Sequence, residues 1–143
     1  MSIKILLADD HAIVRHGISR AIQQQEGMEI AGEANDGLQT IDKVREIQPD
    51  VVLMDIAMPG LNGIEATRQV TRDYPNVKVI ALSMHSAKKF ITEVLKAGAS
   101  GYLLKDCEFD ELVSAVREVM AGKTYISPAI ADVVVDNFVR SSP

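Results

Sequence analysis

Three aspartates stand directly after short apolar segments, and their grouping predicts a metal site. Asp9 and Asp10 follow residues 3–8, and Asp55 follows residues 51–54. If these segments are neighbouring parallel strands, three carboxylates meet in one crevice at the carboxyl edge of the sheet. Charges of one sign repel each other there, and a hard divalent cation relieves the repulsion. Mg²⁺ takes a few carboxylate oxygens, keeps several waters and often completes its shell with phosphate.

A single aspartate after a strand has a simpler interpretation, because the dipole of the following helix also favours a negative charge at that place. For any one of the three residues the two interpretations are equally good. The occurrence of all three at one edge favours the metal site.

A hydroxyl and an ammonium group are expected at the same edge. Ser83 ends the fourth apolar segment, and Lys105 follows the fifth, residues 101–104. A hydroxyl donor and a positive point charge suit a tetrahedral anion. Beside a metal and a carboxylate they indicate aspartyl-phosphate chemistry, in which the carboxylate is the nucleophile. The alternatives are a solvated surface lysine and an ordinary serine, and the serine is the weaker evidence.

Alternating strand and helix patterns must position these residues. Short apolar segments predict strands at residues 3–8, 28–32, 51–54, 77–82 and 101–104. Apolar residues recur at helical spacing between them and after the last. Five strand–helix units predict an α/β fold of the flavodoxin-like (βα)5 type, a three-layer sandwich with parallel strand order 2-1-3-4-5.

The pattern changes after Gly122. We expect residues 1–122 to form one domain and residues 123–143 to form a linker or an extra C-terminal helix, with Ser127 as its N-cap and Pro128 in its first turn. Two alternatives stay open for this tail, which either packs on the domain or connects to a further segment.

Composition places limits on function. The 143 residues carry a net charge of −5, which argues against strong binding of this chain to DNA or to an anionic membrane. No apolar run approaches the roughly 20 residues of a membrane span. The single cysteine, Cys107, excludes an internal disulfide framework and favours a reducing, cytoplasmic location.

Four motifs together resemble one protein family. They are Asp9-Asp10-His11, residues 55–63 (DIAMPGLNG), residues 81–83 (ALS) and residues 101–106 (GYLLKD). In order and spacing they resemble the receiver domain of bacterial response regulators, over about residues 3–122. Their detailed form resembles the NarL/FixJ-like class, which carries a C-terminal LuxR-type helix-turn-helix.

The resemblance implies a role for each acidic residue. Asp55 would accept a phosphoryl group from a sensor histidine kinase. Asp10, Asp55 and the backbone carbonyl of Ala57 would ligate Mg²⁺, and Asp9 would orient the metal shell, partly through water.

The resemblance also implies a switch. Lys105 would pair with the phosphoryl oxygens, while Ser83 and Tyr102 would move together on phosphorylation. Ala57 and His85 hold positions that tune the lifetime of the phosphoryl group in this family. The chain would be a phosphoacceptor switch, with only self-phosphorylation and slow self-dephosphorylation, and not an enzyme.

The same resemblance implies an output. Phosphorylation would promote a homodimer and control transcription through a DNA-binding domain that this sequence does not contain. The chain is then an excised domain or a natural single-domain regulator, and its linker-like ending favours excision.

Two other function classes compete with the switch. A flavin carrier of the same fold needs a hydroxyl- and glycine-rich loop after the first strand, where this chain has two aspartates. A Mg²⁺ phosphohydrolase of the haloacid dehalogenase type uses Asp-x-Asp there and carries a cap domain, whereas Asp9 and Asp10 are adjacent and no cap is inserted.

Overall fold

A six-stranded parallel sheet organises the chain. The structure is a computed structural model that describes residues 2–58, 60, 62–84 and 88–131. The sheet has the order β2-β1-β3-β4-β5-β6, with every neighbouring pair parallel. Its strands are β1 Ile3–Ala8, β2 Met28–Ala34, β3 Val51–Asp55, β4 Lys78–Ser83, β5 Gly101–Leu104 and β6 Tyr125–Ile126. The predicted flavodoxin-like fold and the order 2-1-3-4-5 are confirmed.

Within the described residues, five α-helices connect the strands. They are α1 Ala12–Gln23, α2 Gly37–Ile47, α3 Gly63–Asp73, α4 Lys88–Lys96 and α5 Phe109–Met120. Side chains cap two of them at the N-terminus, because Asp36 accepts a hydrogen bond from Gln39 N and Asn62 accepts one from Glu65 N. These caps fix where α2 and α3 begin, and therefore how the preceding loops leave the sheet.

The helices cover both faces of the sheet, as a parallel sheet requires. On one face, α1 and α5 pack Ile22 and Val116 against strand residues such as Leu53. On the other, α2 and α3 pack Val44 and Val70 over the sheet, and α4 continues this layer. β3 is buried along its whole length, so the strand that ends in Asp55 is rigidly held.

The tail adds an edge strand that the sequence pattern does not predict. β6 pairs with β5, and Ser127 N donates to Tyr102 O at 3.0 Å. A 3-10 helix, Pro128–Ile130, follows, and Ile130 is 1% exposed in the cluster around Tyr102. Residues 125–130 thus pack on the sheet.

The predicted helix at Ser127 is only partly described. Pro128 does lie in the first turn, but the Ser127 side chain makes no cap hydrogen bond and the described turn is a 3-10 helix. Any continuation of the helix lies beyond Ala131, outside the described residues. The division after residue 122 stays a prediction.

Candidate functional site

The ends of β1 and β3 bring two buried aspartates together. Asp9 directly follows β1, where its N–H continues the sheet by donating to Ala34 O at 3.0 Å. Asp55 is the last residue of β3, the strand next to β1. Both side chains are fully buried. Because the two strands are parallel neighbours, their carboxylates face one crevice at the edge where strand order reverses.

Four side chains at this edge lie close enough to hold one ion. Atoms of Asp9, Asp10, His11 and Asp55 all lie within 4.8 Å of one another. Asp10 is partly exposed, with 29% of its side chain accessible, so it forms the open side of the crevice. The three predicted aspartates are therefore brought together. His11 lies with them, although its place in the sequence predicts a surface residue and not a metal ligand.

Lys105 enters the crevice from the end of β5. Its Nζ lies 2.9 Å from Asp55 Oδ2 and 3.1 Å from Asp9 Oδ2, and only 6% of its side chain is exposed. Burial alone would lower the pKa of Lys105, but Asp55 and Asp9 outweigh this effect, so its pKa lies above the ordinary value. The lysine is a buried cation held by two carboxylates and not a solvated surface residue.

The two carboxylate oxygens that face Lys105 make no hydrogen bond of good geometry. Asp9 Oδ2 and Asp55 Oδ2 are buried without a geometrically aligned hydrogen bond, although the ammonium is near. The other oxygens are anchored, since Asp55 Oδ1 accepts from Ala57 N at 2.9 Å and Asp9 Oδ1 accepts from His11 N at 2.8 Å. Each carboxylate thus has one oxygen fixed by a backbone N–H and one that lies against the Lys105 ammonium.

A divalent cation fits this arrangement. Three carboxylates and one ammonium leave two negative charges uncompensated when His11 is neutral. Buried carboxylate oxygens without aligned donors are costly, and a hard cation that accepts oxygen ligands removes that cost. The donor set is carboxylate-rich and open on the Asp10 side, as expected for a magnesium-type site that keeps waters.

Ser83 connects the crevice to β5. It ends β4 with 1% exposure, and its carbonyl accepts from Lys105 N at 2.8 Å. Burial raises the pKa of Tyr102, and a hydrogen bond with the Ser83 side chain partly offsets that effect. The predicted pair Ser83 and Tyr102 is therefore in direct contact. The Tyr102 ring is fully buried and packs in the same cluster as Ile130.

Arg15 also supports the site, although no motif in the sequence points to it. Arg15 Nη1 donates to the backbone carbonyl of Asp9 at 2.6 Å, and its Nε lies 3.3 Å from Glu33 Oε1 on β2. This contact fixes the peptide between Asp9 and Asp10. No spacing rule reveals it, because Arg15 and Glu33 belong to different elements and meet only in the folded chain.

The loop after Asp55 requires glycine at one point. A Cβ on Gly63 would lie 2.5 Å from Ile56 Cα and closer still to the Asp55 carbonyl oxygen. Gly63 N also donates to Ile56 O at 3.3 Å. The close approach holds the loop against the end of β3. Ala57 lies in this loop, whereas Pro59 and the predicted lifetime residue His85 lie outside the described residues.

No helix within residues 2–58, 62–84 and 88–131 is both long and apolar enough to cross a lipid bilayer.

Comparison with known proteins identifies relatives over most of the chain. The sequence profile of the response regulator receiver domain matches residues 5–117. The response regulator GacA of Pseudomonas syringae pv. syringae is 46% identical over 129 residues, which are 90% of this chain and 60% of that protein. The oxygen regulatory protein NreC of Staphylococcus carnosus is 41% identical over 97% of this chain and 64% of its own length. The chain thus spans about 60% of the length of such relatives.

A solved structure shows the same architecture. The two-component response regulator of the LuxR family from Aurantimonas sp. SI85-9A1 superposes with a TM-score of 0.91 at 37% identity. The match covers 97% of this chain and 99% of that one. The resemblance seen in the four sequence motifs is confirmed by these matches.

Proposed function

The chain belongs to the response regulator receiver domain family, and on that premise we propose that it accepts a phosphoryl group on Asp55 from a sensor histidine kinase. The observation that carries the proposal is the placement of Asp55. It is fully buried at the end of β3, with Lys105 Nζ 2.9 Å from its Oδ2 and with Asp9 and Asp10 beside it. Transfer of a phosphoryl group to a carboxylate is assisted by a nearby cation and by a metal ion that offsets the phosphoryl charge.

We propose Asp10, Asp55 and the backbone carbonyl of Ala57 as the ligands of Mg²⁺, with Asp9 acting partly through water. The support is the spacing of the carboxylates within 4.8 Å and the two buried oxygens without aligned donors. Bound Mg²⁺ would neutralise carboxylate charge and polarise the phosphoryl oxygens.

Phosphoryl transfer assigns a task to each remaining residue. An oxygen of Asp55 forms the bond to phosphorus while the bond from phosphorus to the donor histidine nitrogen breaks, and that nitrogen keeps the electron pair. Lys105 then pairs with the phosphoryl oxygens that take the place of its present contacts. Ser83 ends β4 at the same edge, and in the proposed step its hydroxyl donates to the new group. Its present bond to Tyr102 would be exchanged in that step, so Tyr102 would move with it.

The proposed product is a signalling state and not a released compound, so the chain acts as a phosphoacceptor switch with slow self-dephosphorylation. Ala57 has no side-chain group that could position an attacking water. With His85 it forms the proposed pair of residues that set the lifetime of the phosphoryl group.

The output belongs to a longer assembly. We propose residues 1–122 as the receiver unit and residues 123–143 as the connection to a helix-turn-helix domain that binds DNA and controls transcription. A homodimer formed on phosphorylation would bring two such domains together. The net charge of −5 supports the proposal that this chain itself binds neither nucleic acid nor a membrane. A cytoplasmic location completes the proposal.

Chemical phosphorylation tests the assignment. Acetyl phosphate with Mg²⁺ should add one phosphoryl group per chain, and peptide mapping after borohydride reduction should place it on Asp55. The label should be labile to hydroxylamine, as an acyl phosphate is. Asp55→Asn should remove the label, whereas Asp106→Asn, a change at an exposed carboxylate just after Lys105, should keep it. Equal or acid-stable label on Asp55→Asn would refute the assignment.

A further inference from the structure

We propose that His11 is a fourth metal ligand and that it increases the preference of the site for borderline divalent cations such as Co²⁺ over Mg²⁺. This inference rests on the proposed metal site and goes beyond it, because that site uses oxygen ligands alone. His11 is the N-cap residue of α1, in an extended conformation with φ −98° and ψ 106°, and its ring nitrogen Nδ1 lies beside Asp9 and Asp10.

The distances around His11 Nδ1 match those between ligands of one ion. Nδ1 lies 3.1 Å from Asp9 Oδ1, 3.2 Å from Asp10 Oδ1 and 3.9 Å from Asp55 Oδ2. With metal–ligand bonds of about 2.1 Å, ligands at right angles are about 3.0 Å apart, tetrahedral ligands about 3.4 Å, and opposite ligands about 4.2 Å. All three distances fall in this range, so an ion can contact the imidazole and the carboxylates together.

A second observation is that two buried carboxylate oxygens in the crevice lack an aligned hydrogen bond, as expected of metal ligands. Asp9 Oδ2 and Asp55 Oδ2 are fully buried and have no aligned hydrogen bond, even with Lys105 nearby. His11 Nδ1 lies within 3.2 Å of the Oδ1 atoms of Asp9 and Asp10. Its remaining surface is open, with 60% of the side chain exposed, so the ring can adjust to a bound ion without repacking the core.

The chemical type of the ligand atom determines which ions the site binds more tightly. Neutral imidazole suits Co²⁺, Ni²⁺ and Zn²⁺, whereas Mg²⁺ prefers oxygen and exchanges its waters reluctantly. Carboxylates alone already bind later transition ions more tightly than Mg²⁺. The contribution of His11 is therefore the change in the Co²⁺ to Mg²⁺ affinity ratio when the imidazole is removed. An ordinary hydrogen bond from Nδ1 to Asp9 Oδ1 would give no such change.

The experiment compares the 143-residue chain with two single variants by calorimetric titration with Co²⁺ and with Mg²⁺, without a phosphodonor. His11→Asn replaces the imidazole by an amide. His16→Asn makes the same change at an exposed histidine on α1 that is outside the cluster. We expect His11→Asn to lower the Co²⁺ to Mg²⁺ affinity ratio by about tenfold or more, and His16→Asn to leave it unchanged.

Proton NMR of the Co²⁺ form gives a second measurement. A cobalt-bound imidazole shows a strongly shifted, exchangeable N–H resonance, which should be present in the wild type and in His16→Asn and absent in His11→Asn. A resonance that persists in His11→Asn, or a ratio that changes by less than about twofold, would overturn the inference. Failure of Asp55 to accept a phosphoryl group would instead refute the proposed function. The metal titrations could still be interpreted in that case, because they use no phosphodonor.

Discussion

Replacing Lys105 by methionine removes the ammonium that holds two buried carboxylates. Nζ lies 2.9 Å from Asp55 Oδ2 and 3.1 Å from Asp9 Oδ2, the lysine side chain is 6% exposed, and both carboxylates are fully buried. Loss of one partner from a buried ion pair costs about 3–5 kcal/mol, because the remaining charge stays buried. We expect this loss in the free energy of unfolding at pH 7 in EDTA, measured by urea denaturation.

Mg²⁺ should reduce the difference in unfolding free energy between the wild type and Lys105→Met. At a concentration of about 100 times Kd, a ligand of the folded state stabilises it by about 2.7 kcal/mol. The variant should gain more than the wild type, since no ammonium competes with the metal for Asp9 Oδ2 and Asp55 Oδ2. We expect the difference in unfolding free energy between the two proteins to shrink by more than about 1 kcal/mol, which corresponds to at least about fivefold tighter Mg²⁺ binding by the variant.

The stabilisation that Lys105 contributes depends on pH in a defined direction. Because the folded-state pKa of Lys105 lies above its ordinary value of 10.5, the stabilisation is complete below pH 10.5 and is lost as the pH rises through the higher folded value. The difference between wild type and Lys105→Met in EDTA should therefore persist from pH 7 to 10 and shrink at more alkaline pH.

A matched control and two outcomes test whether the Lys105 ion pair stabilises the fold and competes with the metal. Lys123→Met removes a lysine that is 67% exposed and lies 3.5 Å from Glu118 Oε2, so it should cost less than about 1 kcal/mol. A loss below about 1 kcal/mol for Lys105→Met in EDTA would refute the buried ion pair as a source of stability. A large loss that Mg²⁺ leaves unchanged would show that metal and ammonium do not share the same oxygens.

Three further changes test other parts of the structure. Gly63→Ala places a methyl group against the Asp55 carbonyl and should cost about 3 kcal/mol or more in urea denaturation; an unchanged midpoint would contradict the close approach. Ile130→Ala removes a side chain that is 1% exposed and should cost about 2–5 kcal/mol, whereas a loss below about 0.5 kcal/mol would mean that the tail is not docked. Burial raises the pKa of Cys107 to about 11 from 9.0, so iodoacetamide at pH 8 should react about 100-fold more slowly than with the urea-unfolded chain; equal rates would contradict that burial.

The sequence alone determined the fold and the grouping of the aspartates. Strand segments such as 51–54 are short, apolar and separated by helical spacing, and each pattern is local enough to be read from neighbouring residues. Parallel strands end at one edge by construction, so Asp9 and Asp55 had to converge once the order 2-1-3-4-5 was predicted. Lys105 followed by the same rule, because it directly succeeds β5.

β6 could not be predicted from the sequence pattern. Tyr125 and Ile126 form a strand of two residues, which is too short to show any periodicity. It exists because the edge of β5 offers free backbone groups and because Ile130, four residues later, finds a place beside Tyr102. The linker interpretation of residues 123–143 therefore missed a strand that only tertiary pairing stabilises.

Tertiary structure alone also decided which side chains complete the site. Arg15 reaches the Asp9 carbonyl and Glu33 from a different element. His11 Nδ1 lies within 3.9 Å of three carboxylates. Sequence patterns report which face of an element is apolar and where the element ends. They do not report side-chain directions or contacts between distant elements, and those contacts determine the charge, the hydrogen bonds and the ligand distances of the crevice.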